Sequence, residues 1–114
     1  MFLQILKIAG SIATIATGLL ALLRPSAVPG FTGLETTGPR GVTEIRSIFG
    51  GLFIGIGAYP LITGVPAAYQ MLGVMYLTVA AVRLISMVVD GSLRKSSNLI
   101  SLAAEVVLGV ILVL

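Results

Sequence analysis

Residues Asn98–Leu114 read NLISLAAEVVLGVILVL. Within this almost wholly apolar stretch one charged side chain stands out, Glu105. An acidic or basic side chain at the centre of a lipid-exposed helix costs roughly 2.5–3.5 kcal/mol. The economical reading is that Glu105 faces the interior of a helix bundle and has a partner there. Working outward from Glu105, the rest of the chain supplies both the bundle and the partner.

The 114 residues are 57% hydrophobic and 10% charged, with 7 Lys and Arg, 4 Asp and Glu, and a formal net charge of +3. Soluble domains carry about 25% charge, and the mean hydropathy here is +1.13. The composition is that of an integral membrane protein. A spanning helix takes roughly 20 apolar residues, so four spans and their loops fill the chain. The basic residues are scattered, which argues against a nucleic-acid surface and for a role in orienting the spans. There is no cysteine and no histidine. Thiol and histidine chemistry and the commonest metal ligands are therefore missing, and neither a metal nor another cofactor is expected.

The fold class expected is all-α: an integral membrane four-helix bundle with short loops, forming one domain over residues 1–114. The spans fall at about 2–23, 40–63, 66–89 and 98–114. Arg24-Pro25 closes the first. Residues 25–38 form the only substantial loop, rich in Pro, Gly and Thr. Its Val28, Phe31 and Leu34 recur at i, i+3 and i+6, so it either lies in the headgroup region or is an irregular connector. Gly64-Val65-Pro66 is a tight, uncharged turn. Asp90-Gly91-Ser92 stops the third span, with Gly91 suited to the helix C-cap. Arg24 and Arg40 flank the first loop, and Arg94 and Lys95 sit in the third. The positive-inside rule then places both of these loops in the cytoplasm and both termini outside, with Lys7 the one dissenting charge. The expected location is the inner, or plasma, membrane.

A helical face repeats every 3.6 residues, and each span carries a face of small or polar residues. In the first span it is Lys7, Ser11, Thr14, Gly18 and Ala21. In the second it is Glu44, Ile48, Gly51, Gly55 and Ala58, with Gly51-x-x-x-Gly55 expected at a close helix contact. In the third it is Tyr69, Gly73, Tyr76, Ala80, Arg83, Met87 and Asp90. In the fourth it is Asn98, Ser101, Glu105 and Gly109. Depth selects partners. Arg83 precedes the stop at Asp90 by as many residues as Glu105 follows Asn98, and Glu44 and Arg46 reach a similar depth past Pro39. Glu44, Arg46, Arg83, Asp90 and Glu105 are therefore expected to form one buried network. Arginine suits such a role because its planar fork can serve two carboxylates. Tyr59, Tyr69 and Tyr76 read as interface anchors or packing residues, with Tyr76 also a ligand contact in one reading. The glycine run at 50–57 lacks the strand before it and the Lys-Ser/Thr after it that a phosphate loop requires.

These motifs form a recognisable set: Glu44-x-Arg46, Gly50-Gly51-x-x-x-Gly55-x-Gly57, Ala81-x-Arg83-x-x-Ser86-x-x-x-Asp90-Gly91, and Glu105 in the last span. Together they resemble a bacterial family of short, four-span membrane proteins described only as a domain of unknown function. The resemblance runs from the Pro25 turn to Glu105. It implies four helices and the charged set above, and it brings no activity with it.

Three functional readings remain open on these residues. In the first, the charged interior either only fixes the bundle or also binds a lipid, a quinone-like molecule or another small amphiphile. In the second, the protein is an accessory or scaffold subunit of a larger membrane complex. In the third, it is a small proton-coupled transporter acting as a dimer or other homo-oligomer, against which the pairing of Glu105 with arginine counts. An enzyme is not expected, because no nucleophile with a matching base is recognisable.

Overall fold

A computed structural model describes all residues, Met1–Leu114. The chain is helical throughout and has no strand. Four helices are long and apolar enough to cross a membrane: Phe2–Leu23, Pro39–Thr63, Pro66–Val89 and Ser96–Val113. The chain divides into two compact units, one of Met1–Gly10 with Val65–Leu114, the other of Ser11–Gly64.

The first unit is built on a helical hairpin of the third and fourth spans. Pro66 opens the third span at a first-turn position, where its missing N–H costs nothing. Gly91, at φ 68°, closes it. The Ser92 N–H donates to Met87 O at 2.9 Å and the Gly91 N–H to Val88 O at 3.4 Å. This is the Schellman arrangement, which satisfies the last carbonyls and reverses the chain. The two helices then run antiparallel and approach through glycine. A Cβ added at Gly109 would stand 2.6 Å from Leu77, and one at Gly73 would stand 2.9 Å from Leu112. Tyr69, Leu72, Tyr76, Ala80 and Met87 are buried along the third span, and Glu105 and Leu112 along the fourth. Apart from Asp90, which is exposed, the polar faces read from these two spans are thus buried or half-buried. At the start of the chain, Gly10 lies against Leu108 and Leu112.

In the second unit, Ser11, Thr14 and Ala21 of the first span are buried, again on the expected face. The loop after Arg24 is more regular than a connector: Ala27–Thr32 is a short helix, ended by Gly33 at φ 78°. Val28 from this helix packs with Ala21, Ile45 and Phe49, while Phe31 and Leu34 are exposed.

The second span departs from the expected regularity. It is α-helical over Pro39–Glu44, π-helical over Ile45–Leu52 and α-helical again over Phe53–Thr63. The wider turn changes which residues share a face. Counting back from Gly50, an α-helix places Arg46 on the same face, whereas the i, i+5 spacing of a π-helix places Ile45 there. Ile45 is buried and Arg46 exposed. The expected stripe of Glu44, Ile48, Gly51 and Gly55 is corrected accordingly, since all four are exposed. Contact with the first span runs through Gly50 and Gly57 instead. A Cβ at Gly18 would stand 2.7 Å from Gly50 O, and one at Gly57 would stand 3.0 Å from Ser11 O. A Cβ at Gly55 would meet nothing within 4 Å.

Candidate functional site

Arg83 and Glu105 meet across the hairpin, as their matched depth requires. Arg83 Nε donates to Glu105 Oε1 at 2.8 Å and Oε2 at 2.9 Å. Arg83 Nη2 stands 2.7 Å from Glu105 Oε1. Glu105 is buried, at 7% exposure, whereas the Arg83 side chain retains 30%. The guanidinium therefore covers the carboxylate and keeps one edge open.

Beside that open edge, Nη1 is bonded to residues outside the expected network. Arg83 Nη1 donates to Asn98 Oδ1 at 3.1 Å. The Asn98 amide in turn donates to Ser92 Oγ at 3.0 Å and to Ser92 O at 3.3 Å. The Schellman turn thus anchors Asn98, Asn98 fixes the plane of the guanidinium, and the guanidinium fixes Glu105. Asn98 was legible in the sequence, being on the Glu105 face and seven residues before it. Ser92 was not, because its part comes from the turn that follows Asp90.

Beside the open edge lies a cleft of about 500 Å³. Arg83, Ser86, Asp90, Ser92 and Asn98 give it polar walls, and Val79, Val82 and Met87 give it apolar ones. Thr78 also lines it, with its hydroxyl donating to Val74 O at 2.8 Å. Asp90, also in the cleft wall, is exposed. The Arg83–Glu105 pair and the Asn98 bridge leave one N–H on each Nη available to a ligand.

The other expected site residues lie differently. Glu44 is exposed, and its partner is Arg40, whose Nη1 stands 3.0 Å from Glu44 Oε1 one helical turn away. Arg46 is exposed on the same span. Their expected burial is corrected, and the π-helical run is the reason for Arg46. Asp90 lines the cleft but enters neither ion pair. Tyr76 is buried at 7% exposure and does not line this cleft. Gly51 and Gly55 are exposed rather than at a helix contact. A smaller cleft of about 360 Å³ lies in the second unit, lined by Glu35, Thr37, Glu44, Ile45 and Phe49 among others.

Four apolar spans, two of them joined by a buried arginine–glutamate pair, define a helical multi-pass membrane protein. The chain belongs to the family described as Domain of unknown function (DUF4345), which it matches over residues 2–114. No curated protein and no solved structure matches it.

Proposed function

We propose that the protein is a non-enzymatic membrane protein of the bacterial inner membrane whose cleft beside Arg83 holds the polar head of a small amphiphile. One observation carries this reading. A guanidinium with unspent N–H groups opens into a space of about 500 Å³ whose other walls include Val79, Val82 and Met87. A largely apolar cavity with a few convergent polar groups is the usual form of a small-molecule site. Intramembrane ionisable groups commonly mark such sites. The ion pair also fixes the hairpin, so one arrangement serves both structure and binding.

The test fills the cleft and spares the ion pair. Ser86 is half-buried in the cleft wall, and Ser86→Trp would occupy the space. Native mass spectrometry of the protein purified from membranes should show a retained amphiphile on the parent chain. The variant, at an unchanged melting temperature, should have lost it. Equal loading of the two proteins would overturn the reading.

A second reading, as an accessory subunit of a larger membrane complex, is supported by a different face. Arg46, Gly51, Gly55 and Tyr59 are all exposed on the second span. Small residues admit a close-packed helix, and a guanidinium inside a span favours a partner carboxylate. Copurification of a stoichiometric membrane protein that is lost in Gly55→Leu would support it; its survival in that variant would count against it. A proton-coupled transporter is the least supported of the three, because three short contacts from Arg83 hold Glu105.

A further inference from the structure

The chemistry of the head group can be read from the cleft walls. Three formal charges stand at or beneath the cleft: the Arg83 guanidinium and the carboxylates of Glu105 and Asp90. Glu105 already takes the Nε/Nη2 edge of the guanidinium, and Asp90 has no ion pair within the chain. Among the residues lining or beneath the cleft, one cation against two carboxylates leaves an excess of negative charge, which disfavours a purely anionic guest. Arg94 and Lys95 of the adjoining turn are exposed and do not line it. The remaining Nη hydrogens nevertheless ask for an acceptor, because hydrogen bonds to a charged donor are the strong ones. A guest that satisfies both demands carries an anion and a cation of its own.

The geometry separates the two demands along one helix. Asp90 follows Arg83 by seven residues, two turns and about 10 Å along the axis. The Arg83 side chain shortens that gap by reaching Asn98, which is itself bonded to Ser92 beyond Asp90. Both polar groups therefore line the same cleft, the Asp90 carboxylate exposed and the Arg83 guanidinium half-buried. The apolar walls at Val79 and Val82 are themselves exposed, so the cleft continues onto a surface that suits acyl chains.

Resting on the amphiphile reading above, we infer that the cleft selects a zwitterionic phospholipid with a primary ammonium group. The ammonium sits on Asp90, and the phosphate accepts from the free Nη hydrogens of Arg83. A primary ammonium donates hydrogen bonds to the Asp90 carboxylate, which a quaternary ammonium cannot do.

The test uses the full chain in detergent, exposed to an equimolar mixture of phosphatidylethanolamine, phosphatidylcholine and phosphatidylglycerol, with retained lipid measured by native mass spectrometry. The parent protein should retain phosphatidylethanolamine over phosphatidylglycerol by roughly tenfold, the scale of one charge-assisted hydrogen bond. Asp90→Asn, at an exposed position, should keep the parent melting temperature and bring that ratio close to one while total bound lipid persists. Equal retention of the three lipids, a preference for phosphatidylglycerol, or an unchanged ratio in Asp90→Asn would each overturn the head-group assignment and leave the amphiphile reading standing. Lipid loading that Ser86→Trp does not reduce would overturn both.

Discussion

At the scale of single residues, the two ion pairs of this chain make opposite predictions. Arg40–Glu44 is exposed on both sides, so water and the cost of ordering two long side chains cancel most of its attraction. Glu44→Gln should change the stability of the solubilised protein by no more than about 0.5 kcal/mol, as read from thermal melts. Arg83–Glu105 is different because the carboxylate is buried. Removing one partner of a buried pair typically costs about 3–5 kcal/mol, since the other charge is stranded. Arg83→Leu should fall toward the lower end of that range, because its guanidinium edge is partly open. Replacing both residues with leucine should recover much of the loss. A double-mutant cycle checks this: strictly additive losses from Arg83→Leu and Glu105→Leu would mean that the pair is not coupled.

At the scale of the element, the second span holds the most informative feature. Its π-helical run over Ile45–Leu52 acts like one residue inserted into an α-helix. The insertion takes Arg46 off the packed face and puts Ile45 on it. Deleting Ser47, an exposed residue in the run, should let the span continue as an α-helix with Ile45 and Gly50 still on one face. That variant should melt close to the parent. Deleting Ala58 from the α-helical part should melt far lower, because the Gly57 contact and Pro60 lose their register. Circular-dichroism melts in detergent would separate the two, and equal losses would remove this account of the run. The glycines divide in the same way. Gly57→Leu drives a side chain into the backbone of the first span and should cost at least about 1–3 kcal/mol, the usual range for overpacking. Gly55→Leu meets open space and should leave the melting temperature of the isolated protein unchanged.

At the scale of the whole molecule, the spans and the basic loops make a prediction about orientation. The loops at residues 25–40 and 90–98 hold Arg24, Arg40, Arg94 and Lys95, and the turn between the second and third spans holds no basic residue. By the positive-inside rule, a reporter fused after Leu114 should read as periplasmic in a bacterial host and one placed in residues 90–98 as cytoplasmic. A cytoplasmic signal at Leu114 would reverse the orientation. In the predicted orientation the cleft beside Asp90 faces the inner leaflet, where it would meet the head groups of that leaflet.

Much of this architecture was legible because lipid makes polar side chains costly. Twenty-residue apolar runs, the Pro66 start and the Gly91 stop determine the spans with no knowledge of neighbours. The same cost makes the buried faces of the first, third and fourth spans readable, and equal depth pairs Arg83 with Glu105 before any coordinate is known. What the sequence could not decide was where a helix leaves its ideal period. A 3.6-residue projection carried through Ile45–Leu52 puts Gly51 and Gly55 inward, whereas packing against Gly18 and Ser11 selects Gly50 and Gly57. A π turn is set by the competition between backbone regularity and the burial of Ile45 in place of Arg46, and that competition exists only once two helices touch. The roles of Ser92 and Asn98 are tertiary for the same reason. Each is an ordinary polar residue in the chain, and only the turn at Gly91 brings both onto the edge of the Arg83 guanidinium.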